Sequence, residues 1–226
     1  MVYLSSVKIL CVVFIVITLS QYCYAHQPDE GKVFGTIGPF VNHSQSVYTP
    51  EANYTPFFLG FGILAEGDLS NHGGGEIGLF YFNKLYKRAM ANGFVVAQVA
   101  KIDIPMGYRY WFNPSFSGAL GFSTSFSVGN PQVNFSNVTG DQSTSATNIA
   151  DYGIDFSVQW EFWTNGLFSA LVDGRYSLSI STNPGEDANQ YGVLVGIKYM
   201  IQEKDKDRER EKELENEEDL EKEQEK

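Results

Sequence analysis

Lys101, Asp103, Arg109, Asp155, Glu161, Asp173, Arg175 and Lys198 fall on the polar positions of segments that otherwise alternate with apolar residues. Charges of both signs gathered on one face point to ion pairing, because a buried ion is costly unless a partner answers it. The expected result is an interior network that fills a lumen. Acid–base catalysis is poorly supplied: His26, His43 and His72 are the only imidazoles, and none sits in a strand core. A histidine-based site would have to be assembled from loops, with His43-Ser44 its narrow basis. The sequence carries no metal-ligand cluster, phosphate-binding loop or dinucleotide fingerprint, so no metal or cofactor and no enzymatic activity are expected.

The element that must position these charges is clearest at 151–162, DYGIDFSVQWEF. Tyr152, Ile154, Phe156, Val158, Trp160 and Phe162 share one face of a strand, and Asp151, Gly153, Asp155, Ser157, Gln159 and Glu161 share the other. About 9 to 11 tilted residues cross a bilayer as a strand, so this segment is long enough to span. The same alternation predicts eight strands, at 33–41, 55–66, 75–85, 94–112, 116–128, 151–163, 167–180 and 191–201. Asn113-Pro114-Ser115 and Thr164-Asn165-Gly166 read as tight turns. In contrast, 42–54, 129–150 and 181–190 are long and rich in Asn, Ser, Thr, Pro and Gly. The connection at 67–74 is long for a tight turn, and basic residues at 86–93 fit two extended strands. A three-residue turn at Thr164-Asn165-Gly166 would set Trp163 against Leu167 and place Asp155 directly across from Arg175.

Alternation also permits a soluble barrel of lipocalin type, with its apolar residues inside around a ligand. Composition favours the opposite arrangement. Leu120, Phe122, Phe126, Phe168, Val172, Tyr176, Leu178, Val193, Val195 and Ile197 suit contact with lipid. The alternate positions Ser117, Ala119, Gly121, Ser123, Ser125, Ser127, Gly192 and Gly196 are small and suit a crowded lumen. Aromatic rings collect beside the tight turns, Tyr110, Phe112 and Phe116 at one and Trp160, Phe162 and Phe168 at the other, as at a membrane interface.

Residues 1–25 read as a secretory signal peptide, with Lys8 before the apolar run 9–19 and Cys23-Tyr24-Ala25 at the cleavage site. Both cysteines, Cys11 and Cys23, lie within it, so no disulfide framework is expected in the exported chain. A lipid-modified Cys23 is disfavoured because Ser-Gln-Tyr precedes it. Residues 26–32 are then expected to form an N-terminal segment, 33–201 the barrel and 202–226 a charged tail, helical or disordered. The formal charge of −11 excludes a nucleic-acid partner. Four Asn-x-Ser/Thr sequences, beginning at Asn42, Asn53, Asn134 and Asn137, lie in the polar connections and read as loop composition.

With strand number, loop parity and the last strand considered together, 33–201 resembles the small eight-stranded bacterial outer-membrane barrels of the OmpA/OmpX-like group. The final strand contains Gly196, Tyr199 and Ile201 in a spacing similar to the signal read by barrel assembly machinery. The resemblance implies an all-β, up-and-down transmembrane barrel in the bacterial outer membrane, with both termini in the periplasm. It further implies outer-membrane lipids, the assembly machinery and periplasmic chaperones as partners, an extracellular ligand for the loops, and a monomer. The expected role is structural or surface-interacting around a filled lumen. A narrow gated pore and a lipid-modifying enzyme are the membrane-bound alternatives.

Overall fold

The computed structural model describes residues 28, 30–44, 57–139, 150–180, 186–187 and 189–202. Expectations for the signal peptide, the charged tail after 202 and the loop portion 140–149 lie outside the described residues. The strands are β1 (Val33–Ser44), β2 (Phe57–Asp68), β3 (Gly73–Met90), β4 (Gly93–Asn113), β5 (Phe116–Ser127), β6 (Gln132–Ser136), β7 (Asp151–Thr164), β8 (Phe168–Ser179), β9 (Glu186–Asp187) and β10 (Gln190–Gln202). Antiparallel pairing runs β4-β5-β7-β8-β10-β1-β2-β3 and returns from β3 to β4, so eight strands close into a barrel. The short β6 and β9 pair with outer portions of β4 and β3.

Closure removes both sheet edges, which suits a wall in hydrocarbon where no water can satisfy open backbone groups. The exterior carries the apolar set: Phe122 is 66% exposed, Ile197 57% and Leu120 56%. Asp151, Asp155, Ser157, Gln159 and Glu161 on β7 are all buried. The faces are therefore the reverse of a lipocalin's, and the soluble-barrel alternative fails. Near the short turns the exposed rings of Tyr110, Phe112 and Phe116 form a run, with centroids 5.5 and 6.0 Å apart, while Phe168 meets Tyr199 at 4.9 Å.

Both tight turns differ from the expected three-residue form. Asn113 pairs with Phe116 around Pro114-Ser115, and the ladder resumes at Trp111 and Ser117, leaving Phe112 as a bulge. A two-residue loop plus one bulged residue restores the expected register. At the second turn, Asn165 N donates to Phe168 O at 2.9 Å and Asn165 Oδ1 accepts from Phe168 N at 2.8 Å. Thr164 Oγ1 accepts from Gly166 N at 3.2 Å, and Gly166 has a φ of 92°. These bonds move the turn toward Gly166-Leu167, and Phe162 is bulged between Glu161 and Trp163. Asp155 consequently pairs with Ser177 and Arg175 with Ser157. The expected Asp155–Arg175 register is wrong by two residues, although both side chains are buried on the same inward face.

The 86–93 segment forms the end of two long strands. Pairing between β2 and β3 stops at Phe61 and Tyr81, whereas β3 and β4 remain paired to Met90 and Gly93. Opposite the hairpin, at the short-turn end, residues 69–72 connect β2 to β3, with Leu69 N and Ser70 N both donating to Gly73 O.

Two inward glycines, Gly107 and Gly121, and the outward Gly75 give a direct test of backbone approach. Gly107 and Gly121 face one another across β4 and β5. A Cβ on Gly121 would lie 2.3 Å from Met106 O and 2.7 Å from Gly107 Cα, whereas one on Gly75 would meet nothing within 4 Å. Gly121→Ala should destabilise the barrel by about 1 to 3 kcal/mol, the usual range for overpacking. Gly75→Ala should be near neutral by denaturant unfolding in detergent. Equal effects would contradict the close β4–β5 approach.

Candidate functional site: the lumen and its outer closure

Because β7 descends from the loop end to the short-turn end, its inward residues mark depth. Asp151 is near the outer mouth, Asp155 and Ser157 lie lower, and Glu161 is close to the turn. At the lowest level Lys198 Nζ, from β10, lies 2.6 Å from both Glu66 Oε2 and Glu161 Oε1. The Lys198 ammonium also sits 4.7 Å from the Trp111 ring centroid and 5.3 Å from that of Phe34, in reach of both ring faces.

The next level is built around two guanidinium groups. Arg109, 1% exposed, donates through Nε to Glu76 Oε2 at 2.8 Å, through Nη1 to Ser117 Oγ at 2.9 Å and through Nη2 to Ser157 Oγ at 2.9 Å. Arg175 Nη2 donates to the other oxygen of Glu76 at 3.2 Å, and its Nε donates to Asp173 Oδ2 at 2.8 Å. Arg109 Nη2 lies 3.7 Å from that same Asp173 oxygen. Two cations and two carboxylates from β3, β4 and β8 thus form one connected group. The planar, multiply donating Arg side chain suits such sharing better than Lys.

Above this level Asp155 accepts from Ser123 Oγ at 3.1 Å and Asp103 accepts from Ser125 Oγ at 2.5 Å. Phe40, Phe80, Phe82 and Leu194 make an apolar cluster across the lumen, with Phe40 and Phe80 centroids 4.9 Å apart. Arg175 lies 5.0 Å from the Phe80 centroid. The cavity bounded by Phe40, Phe80, Asp103, Asp155, Arg175, Ser177, Gln190 and Gly192 has a volume of about 10 Å³, roughly what one water needs.

The outer closure comes from the long β3–β4 hairpin. Asn42 Nδ2 on β1 donates to Asn83 O at 2.9 Å, and Leu85 N donates to Ser44 Oγ at 3.1 Å. Both β1 side chains point inward and are buried. Once past β2, β3 therefore leans over the mouth and bonds to β1. On the other side the Tyr86 hydroxyl donates to Asp151 of β7, and Lys101 Nζ lies 3.2 Å from the same carboxylate. Leu85 and Val96 pack with Phe58, Phe94 and Phe135, holding the outer hairpin against β2 and β6.

All eight residues assigned to the charge network from sequence, Lys101, Asp103, Arg109, Asp155, Glu161, Asp173, Arg175 and Lys198, are buried. Sequence reasoning missed Glu66, Glu76, Tyr86, the buried Lys84 whose Nζ lies 5.5 Å from the Tyr86 ring centroid, and the ion-pairing role of Asp151. Glu66 and Glu76 were legible in principle: Phe61 and Ile63 set the outward parity of β2, and Ile77 and Leu79 that of β3. Frequent glycines blurred the alternation. Of the residues in the assembly-signal spacing, Gly196 faces inward, while Tyr199 and Ile201 are exposed on the outer face. His43 stacks on Tyr191 with centroids 4.6 Å apart, and His72 lies in the connection at 69–72, so the two do not come together. Among the described residues, no group of three or more His, Cys, Asp or Glu side chains is arranged to hold a metal ion.

Removing Arg109 should leave Glu76 and Asp173 to share the single guanidinium of Arg175 in the lumen. Arg109→Ala is expected to cost about 3 to 5 kcal/mol in denaturant unfolding, and Glu76→Ala with Arg109→Ala to recover part of it. Strictly additive losses would contradict the pairing.

No protein-family model and no curated protein sequence matches the chain. Among solved structures, the outer membrane protein OprG from Pseudomonas aeruginosa matches at 10% sequence identity and a TM-score of 0.52, covering 80% of this chain and 100% of its own. Ail, the attachment invasion locus protein of Yersinia pestis, matches at 14% identity and a TM-score of 0.46, covering 76% of this chain and 100% of its own. The OprG match agrees with the closed eight-stranded wall: this chain has the fold of the small eight-stranded outer-membrane β-barrels.

Proposed function

We propose that this protein is a closed, non-enzymatic barrel of the bacterial outer membrane that acts as a rigid platform, presenting its β3–β4 hairpin and neighbouring loops at the cell surface. The observation that carries this reading is the continuous filling of the lumen, from the Lys198 pair through the two arginines to the hairpin tied to β1 and β7. A conducting pore would need those contacts to break together, whereas a platform gains rigidity from them. The apolar belt supports outer-membrane lipids as its surroundings. Gly196, Tyr199 and Ile201 on the closing strand are the residues through which the assembly machinery would engage it, with periplasmic chaperones handling the unfolded chain. Closure of the eight-stranded wall within one chain leaves no sheet edge in the membrane calling for a second copy, which supports a monomer. An extracellular ligand would meet the hairpin tip, where Ala91 and Asn92 are exposed.

The wild-type protein reconstituted into planar bilayers should show little steady conductance, and an epitope inserted after Asn92 should be detected on intact cells. Long-lived, charge-selective channels would replace the platform reading with the gated pore. Detection only after the outer membrane is permeabilised would invert the topology.

A further inference from the structure

Two stretches at the loop end of the barrel carry opposite charge. Residues 81–100, the outer hairpin of β3 and β4, contain Lys84, Lys87 and Arg88 and no acidic residue. Residues 180–190, which join β8 to β10, contain Glu186 and Asp187 and no Lys or Arg. β8 and β10 are neighbours in the ring, and β3 stands directly opposite β8, reached through β10, β1 and β2 or equally through β7, β5 and β4.

The fold brings the two stretches together. Beyond Tyr81, β3 no longer has β2 as its neighbour and leans over the mouth, and there β9 pairs with it antiparallel. The register matches Lys87 with Asp187 and Arg88 with Glu186. Both cations at this point of β3 therefore have an acidic residue directly opposite, the placement in which cross-strand charges attract. A slip of one residue would leave one charge of each sign without its opposite. Pairing over two residues falls well short of the usual strand length of about 5 to 6, so backbone bonds alone are a weak hold. The far end of the connection is also tied, since Ser179 N donates to Asn189 Oδ1 at 3.0 Å.

We propose that β9 is an ionic strap at the outer mouth: Glu186 and Asp187 fasten it to Arg88 and Lys87 of the hairpin, and salt releases it. Charges near water act over a Debye length of about 10 Å at 0.1 M salt and about 3 Å at 1 M. The strap is thus fastened in dilute medium and open in concentrated salt. Fastened, it joins the hairpin to the opposite side of the ring in one outer surface. Released, it leaves the hairpin held by its bonds to β1 and β7. The strap stands on the geometry of the outer sheet and holds whether or not the lumen conducts.

The test is disulfide formation between Lys87→Cys and Asp187→Cys in the full barrel folded in detergent, with Cys11 and Cys23 replaced by Ser wherever they are present. This leaves Arg88 and Glu186 as the charge pair. Directly opposite residues have Cβ atoms about 4.5 to 5.5 Å apart, close enough for a disulfide after a small adjustment. The crosslink, read by peptide mass mapping, should form readily in low salt. It should form about threefold or more slowly in about 1 M NaCl, or in low salt with Arg88→Glu. Adding Glu186→Arg to Arg88→Glu should restore the low-salt rate. No crosslink in a barrel shown to be folded by its heat-modifiable gel mobility would overturn the strap. So would a crosslink indifferent to both salt and Arg88→Glu, because backbone pairing alone would then hold β9.

Discussion

Glu76 sits between Arg109 and Arg175, one carboxylate oxygen toward each, at a depth where the outer wall of the barrel is Leu120, Phe122 and their neighbours. A guanidinium cannot shed its charge there, so carboxylates and hydroxyls must be placed close to answer it. This requirement explains the composition of several strands at once. Ser117 and Ser157 are small enough to leave room for Arg109 and still accept from it. Asp173 and Arg175, two residues apart on β8, close the group from the far side. Shifting any of these strands by one residue would put their charges into lipid and their apolar side chains into the lumen, so the network and the lipid face enforce the same register.

The same constraint shapes the two ends differently. Toward the short turns the wall is finished by bulges at Phe112 and Phe162, which keep one residue out of each ladder amid the aromatic rim. Toward the loops the wall continues upward on one side only, as β3 and β4, and this extension leans inward. Asn42 and Ser44 are inward side chains of β1 that bond the backbone of β3 where β2 no longer does. Tyr86 and Lys101 converge on Asp151 across the mouth. The hairpin is thereby tied to opposite sides of the ring, which makes the outer surface an extension of the folded wall.

Period-2 patterning made the strands and their inward faces legible, because side-chain parity is a strict consequence of strand geometry and the contrast between Ser or Asp and Phe or Val is strong on β5, β7 and β8. Register at the second turn was harder. Thr164, Asn165 and Gly166 allow several closures, and the choice rests on side-chain bonds of Thr164 and Asn165 together with a bulge at Phe162 that no local motif announces. Glu66 and Glu76 were obscured by Gly60, Gly62, Gly73, Gly74, Gly75 and Gly78, which carry no side chain to mark a face. The inward lean of the hairpin depends on contacts between residues 41 apart in sequence, Asn42 with Asn83 and Ser44 with Leu85. Such long-range contacts leave no periodic trace.

The central claim is that the lumen is filled by protein and closed to bulk water. Cysteine placed at Ser157, midway down the inward face of β7 and beside Arg109, reports on this directly, since both native cysteines lie within the first 25 residues. In the folded barrel, a charged aqueous thiol reagent should leave Ser157→Cys unmodified from either side of the membrane, while denaturant exposes it fully. Rapid modification of the folded protein would show a water-filled passage and contradict the account.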